Sequence, residues 1–298
     1  MKVNFKTINR DSEQFPLFLK EIQNPPEKIF VSGELPADPP DGGIKIAVVG
    51  TRKATSSGKI FAKKLAKELA ENGIIIVSGL ALGIDTAAHE GALEAQGKTI
   101  AVLANGLDKI YPAQNENLAK AIINSGGALI SEYPTGTPSY PSQFLERNRI
   151  ISGLCSAAVI VEASNRSGSL ATARFAVEQG REVFVVPGPA GHPNFEGSHK
   201  LIRDGARLIS SVRDILEDLG FESEKQKNSK NKIFDFKDVD VKDENQLRIL
   251  KIIASAGNPV GIDKIIEISK LEPQTVNQSL ALLTITGVIK ETEKGYVI

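Results

Sequence analysis

From Ile44 to about Gly220, short unbroken runs of aliphatic residues alternate with longer segments in which apolar positions recur at helical spacing. The runs IKIAVV, GIIIVS, TIAVLA, ALISEY, AAVIVEA, REVFVV and RLIS mostly lack polar alternate positions, as strands buried on both faces require. Their interleaving with helical patterns predicts an α/β fold on a doubly wound parallel sheet. Between the first two runs, GKIFAKKLAKELAENG spaces Phe61, Leu65 and Leu69 by four and stops at Gly73, a glycine helix end. Gly97, Gly126 and Gly180 are read as further stops.

The pattern changes at both ends. Residues 1–43 are rich in proline and are expected to pack as a lead-in arm with one strand, ahead of a main domain at 44–220. Residues 221–242 are charged, poor in apolar side chains and without a period, which reads as a linker. In 243–298, QLRILKIIASAG, GIDKIIEISK and PQTVNQSLALLTITG predict three helices, and VIKETEKGYVI predicts a hairpin turning near Lys294 and Gly295. Three helices and a hairpin make a small C-terminal winged-helix domain. Its third helix region, Leu271 to Gly287, contains no lysine or arginine, so an auxiliary or protein-contact role is expected over duplex binding.

Charge and composition narrow the chemistry. The 36 Lys and Arg balance the 36 Asp and Glu, so any site for a polyanion must be local. No apolar run approaches the roughly 20 residues of a membrane span, and the start lacks a hydrophobic signal region. A cytoplasmic protein without membrane insertion is expected. Cys155, in IISGLCSAAVIVEA, is expected to be core, and the three histidines have no metal-ligand spacing. Neither a metal nor a cofactor is predicted.

Candidate chemistry lies on the loops that leave the parallel strands, all on one edge of such a sheet. In GTRKATSSGK, Gly50 permits a tight turn, Thr51 and the amides after it face the rim, and Arg52 supplies a planar fork that matches phosphate. In SGLALGID, Gly79 and Gly83 allow close backbone approach before a helix that Asp85 would cap. In EASNRSGSLATAR, Ser167, Gly168 and Ser169 turn strand into helix. FLERNRIISGL adds Phe144, Arg147, Asn148 and Arg149. Arg147 and Arg149, two apart, do not share a helix face, so at most one meets the phosphate and the other pairs with a carboxylate such as Glu132 or Glu162. Phe144 either stacks on a base or anchors the core. His89 is read as a packing residue. No acid, base and nucleophile set emerges.

Taken in order, VVGTRKAT, SGLALGIDTAAHEGAL, GLDKIYP, FLERNRIISGL, EASNRSGSLATA, REVFVVPG and GSHKLIRDGA resemble the successive signatures of the DNA-processing protein A family, also called Smf. His199 departs from the asparagine common in that family. The resemblance implies an extended Rossmann fold that binds single-stranded DNA without sequence preference, forms a homodimer, protects incoming DNA and loads the RecA recombinase during natural transformation. It also implies that no reaction is catalysed, and a DNA pocket at Gly50, Arg52, Gly79, Arg147, Arg149 and the Ser167 to Ser169 turn. A nucleoside monophosphate phosphoribohydrolase of the lysine-decarboxylase-like group is the alternative, but Ala171 and Thr172 fall where its Gly-Thr pair would be and Phe175 where its catalytic glutamate would be. A dehydrogenase is weaker still, because no G-x-G-x-x-G follows the first strand.

Overall fold

The structure, a computed structural model, describes residues 5–39, 42–221, 243–256, 259–285, 288–292 and 295–297. It divides into two compact units, Met1–Phe221 and Glu222–Ile298.

The first unit is built from β1 (Lys6–Asn9), α1 (Leu17–Lys20), β2 (Lys28–Gly33), β3 (Lys45–Val49), α2 (Ser56–Glu71), β4 (Ile75–Ser78), α3 (Ile84–Glu94), β5 (Thr99–Val102), α4 (Glu116–Asn124) and β6 (Ala128–Ser131). There follow α5 (Pro141–Gly153), β7 (Ala157–Ile160), α6 (Ser169–Glu178), β8 (Glu182–Val185), α7 (Glu196–Arg203), β9 (Arg207–Leu208) and α8 (Val212–Asp218). The sheet runs β1-β2-β6-β5-β4-β3-β7-β8-β9, and every pairing from β6 across to β9 is parallel. Chain order grows outward from β3 first through β4, β5 and β6, then on the other side through β7, β8 and β9. The junction of β3 with β7 is therefore the topological switch point, where loops diverge and leave a crevice.

Both faces of β3 are covered, which accounts for its unbroken apolar run. Ala47 and Val49 pack with Ile150 and Ile151 of α5, Leu154 just after it and Ala173 of α6. Ile46 and Val48 face Ala62, Leu65 and Leu69 of α2 with Ile84 and Ala88 of α3. Cys155 is fully buried in the first of these layers, as core.

The N-terminal segment does more than lead in. It contributes two strands: β1 pairs antiparallel with β2, and β2 antiparallel with β6, Val31 opposite Ile130. Phe15, Leu19 and Ile22 join the main core, and the buried Lys45 pairs with Asp38 at 2.6 Å. The expected boundary between 43 and 44 thus falls inside one folded unit. Gly73, Gly126 and Gly180 take positive φ at helix ends, whereas after α3 it is Gln96 that does so, at 56°. Gly97 is instead placed against Ala70, where a Cβ would come within 2.7 Å of that side chain.

The second unit contains α9 (Glu244–Ala256), α10 (Ile262–Ser269), α11 (Pro273–Ile285) and an antiparallel pair, β10 (Lys290–Thr292) and β11 (Gly295–Val297). Ile249, Leu250, Ile253, Ile265, Val276, Leu280 and Leu283 form its core. Residues 222–242, nearly all of the expected linker, and Lys294 in the expected turn lie outside the described residues. No described helix is long and apolar enough to cross a membrane.

Candidate functional site

A cavity of about 610 Å³ opens at the switch point, lined by the loops after β3 and β7, the loop after β4 and the N-terminal half of α5. Four cationic side chains, Arg52, Lys53, Arg147 and Arg166, and one carboxylate, Asp85, line it. In a chain of zero net charge this concentrates positive potential in one concave place. Among the described residues no cluster of His, Cys, Asp and Glu could hold a metal ion.

The floor is a network of buried polar groups. Asp85 does not cap α3; that position is Gly83, at φ 89°. Its carboxylate folds back to accept the N–H of Gly79 at 3.1 Å, and the backbone at Gly79, Ala81 and Gly50 opposes the rise in its pKa. Arg147, 3% exposed, donates to the carbonyls of Gly79 at 2.8 Å and Val102. A Cβ on Gly79 would lie 2.5 Å from this guanidinium, so only glycine leaves room for it. Burial drives the Arg147 pKa down to about 10, with Asp85 opposing, and drives that of Asp85 up, with Arg147 opposing. Each ion thus steadies the other's charge.

A second buried carboxylate, Glu162 two residues past β7, organises the first loop. It accepts from Thr55 N–H at 3.1 Å, from the Thr55 hydroxyl and from Asn194 Nδ2 at 3.1 Å, while its carbonyl accepts from Thr51 N–H at 2.8 Å. Gly50 lies so close to Ile84 that a Cβ would fall 2.6 Å from its Cγ1.

These bonds revise the sequence expectation of a backbone cradle. The amides of Thr51 and Thr55 go to the Glu162 carbonyl and carboxylate, and that of Lys53 to the Thr51 hydroxyl. Those of Ser167 and Ser169 are also taken, by Ser164 O and Ser167 Oγ. The side chains of Arg52, Lys53 and Arg166 add charged donors at the rim. Arg52 is exposed and lies over the half-buried Phe144 ring, 4.7 Å from its centroid, and Tyr111 packs on the same ring at 5.4 Å. Asn148 Nδ2 donates to Gly168 O, fastening α5 to the third loop, where Ser167 and Ser169 share a hydrogen bond of 2.7 Å.

The predicted residues therefore separate by depth. Gly50, Thr51, Arg52, Phe144, Asn148, Ser167, Gly168 and Ser169 line the cavity. Gly79 lines a smaller neighbouring hollow with Arg52, Leu82 and Tyr111. Arg147 forms floor, not rim. Arg149 is absent from the lining; its guanidinium meets Glu132 at 2.6 Å, the carboxylate pairing anticipated for one of the two arginines. Sequence reasoning missed Lys53, Arg166 and Tyr111, although all three stand in the motifs already singled out. His89 is packed: its Nδ1 lies 2.7 Å from Thr99 Oγ1, and burial drives its pKa down to about 3.

Comparison with known proteins adds the following. The family model described as DNA recombination-mediator protein A matches residues 6–220. Protein Smf of Escherichia coli is 46% identical over 218 residues, covering 73% of this chain and 58% of that protein, so the chain spans somewhat over half the length of this relative. The X-ray structure of DNA processing protein A from Streptococcus pneumoniae superposes with a TM-score of 0.65 at 40% identity, over 72% of this chain and 74% of that one. The Helicobacter pylori DNA processing protein A, whose structure addresses its mode of binding single-stranded DNA, gives 0.64 at 32% identity over 73% and 96%.

Proposed function

The chain belongs to the DNA recombination-mediator protein A family, and from that premise we propose that its cavity grips the phosphate backbone of single-stranded DNA. One observation carries the proposal: among the described residues four cations line the cavity against a single carboxylate, which is itself engaged by the Gly79 amide. Exposed Arg52 supplies a planar fork for phosphate, and Phe144 with Tyr111 offers aromatic surface beside it for a splayed base. Contacts of this kind do not read base edges, so the binding is sequence-independent.

The wider role follows the family likeness. The protein protects incoming single strands and passes them to the RecA recombinase during natural transformation, in the cytoplasm. It acts as a homodimer, because two shallow cradles on one strand raise the effective concentration of the second contact. The second unit is a winged-helix module whose exposed third-helix residues, Gln274, Asn277 and Gln278, carry no charge for phosphate and suit an auxiliary role.

The phosphoribohydrolase alternative is not favoured. Asp85, the one carboxylate lining the cavity among the described residues, is engaged by the Gly79 amide and faces Arg147, and Phe175 lies under Arg174 at 5.4 Å. Titrating the protein with an oligodeoxynucleotide and with nucleoside monophosphates, each at two salt concentrations, tests the proposal. Salt-sensitive binding of the oligomer with weak, unreactive binding of the monophosphates is the expected result; release of free base from a monophosphate contradicts it.

A further inference from the structure

In a βα unit the N-terminus of the helix after the first strand is the usual seat of a cofactor phosphate, because free N–H groups and the helix dipole converge there. In this protein that seat belongs to β3 and α2, and it is already occupied from within. Thr55, the residue preceding α2, gives both its N–H and its hydroxyl to the Glu162 carboxylate, while its Oγ1 accepts the Gly58 N–H at 2.9 Å. The first turn of the helix lies directly on the carboxylate, and a Cβ at Gly58 would overlap Glu162 Oε1. Asn194, 32 residues further along the chain, closes the other side through Nδ2. Glu162 is fully buried, and among the described residues it forms no ion pair with Lys or Arg. Neutral donors and the helix end are what hold its charge.

We propose that the Glu162 carboxylate is a built-in anion that fills the phosphate seat of α2. It makes that seat unavailable to the diphosphate of a nucleotide cofactor and leaves phosphate to be taken outside it, at Arg52. Glu162 is in this sense a specificity-determining residue: it separates a strand-gripping cradle from a dinucleotide site on the same kind of βα unit. Three features agree with it. Gly58 has no side chain where a carboxylate must approach the helix. The polypeptide between Gly50 and Thr55 turns with Thr51 tied to the Glu162 carbonyl, which sends Arg52 outward. Arg52 and Lys53 are exposed, whereas Gly58 at the helix start is buried. The assignment of phosphate to Arg52 rests on the function proposed above; the occupancy of α2 does not.

The test is an amide NMR titration of the full chain with inorganic pyrophosphate, run on the wild type and on Glu162→Ala. In the wild type, shifts are expected at Thr51, Arg52 and Lys53 and none at Thr55, Ser57 and Gly58. In Glu162→Ala, which leaves the Thr55 and Asn194 donors around an empty seat, pyrophosphate should shift Thr55 to Gly58 as well, and added acetate should raise a lowered Tm with no such effect on the wild type. Shifts at Thr55 to Gly58 in the wild type overturn the proposal, and this arm decides even where the variant fails to fold. A folded variant whose Thr55 to Gly58 amides ignore pyrophosphate also overturns it. Wild-type shifts at neither segment count against phosphate binding at Arg52 and leave α2 closed, so the two claims fail separately.

Discussion

Asp85 and Arg147 hold the two main-chain ends of one residue: the Gly79 N–H is given to the Asp85 carboxylate at 3.1 Å and the Gly79 carbonyl receives Arg147 at 2.8 Å. The loop after β4 is thereby fixed between helices α3 and α5, and the rim above it inherits that order. Gly79→Ala would drive a methyl group into the guanidinium, an overpacking cost of about 1–3 kcal/mol. Urea unfolding of the variant should show this loss, with a parallel weakening of single-strand binding as the floor shifts.

Arg147→Ala should cost more, about 3–5 kcal/mol, since it strands two carbonyls and leaves the buried Asp85 without its opposing charge. Denaturant midpoints compared with wild type check this. A variant of wild-type stability with a reduced salt dependence of DNA binding would instead return Arg147 to the rim.

Arg149 and Arg52 should separate cleanly. Arg149 is tied to Glu132 outside the cavity, so Arg149→Ala should lower stability by about 1–3 kcal/mol and leave the salt slope of DNA binding unchanged. Lys53→Ala and Arg166→Ala, at exposed cations of the lining, should each make that slope shallower by up to about 0.7 and leave Tm nearly unchanged.

His89 governs part of the acid limb. Its folded pKa is about 3 against 6.5 unfolded, so between these values the unfolded chain binds more protons and stability falls as pH drops. The slope approaches about 1.4 kcal/mol per pH unit. Asp85 acts oppositely: with its folded pKa raised above 3.8, its contribution is full below that value and is lost as pH rises through the folded pKa. Urea titrations of wild type and His89→Gln between about pH 7 and about pH 4 should show the flatter acid limb in the variant.

Much of the scaffold could be read from the chain alone, for identifiable reasons. Strands such as IKIAVV announce themselves because both faces are buried and polar alternation disappears. Of β1 and β2 only one strand is legible in the sequence, because they flank a proline-rich stretch and pair antiparallel, leaving no βαβ rhythm to follow. At the site, spacing separated Arg147 from Arg149 but said nothing of depth, and depth decides that one is floor and the other paired. Glu162 lies 107 residues from Thr55, and no local pattern signals a carboxylate that reaches over from the neighbouring strand to seat a helix. Lys53 and Arg166 were legible, as cations in loops already marked for phosphate.

Whether the cavity at the switch point grips a single strand through Arg52 is decided by titrating wild type and Arg52→Ala with the same unlabelled oligodeoxynucleotide over a series of salt concentrations. The account predicts a loss of about 1.5–3 kcal/mol, roughly ten- to a hundredfold in affinity, and a slope of log affinity against log salt shallower by about 0.7. Tm should be nearly unchanged, because Arg52 is exposed and its stacking partner Phe144 is held also by Tyr111. Equal affinity and equal slope in the two proteins, both folded, would contradict it and place the DNA elsewhere.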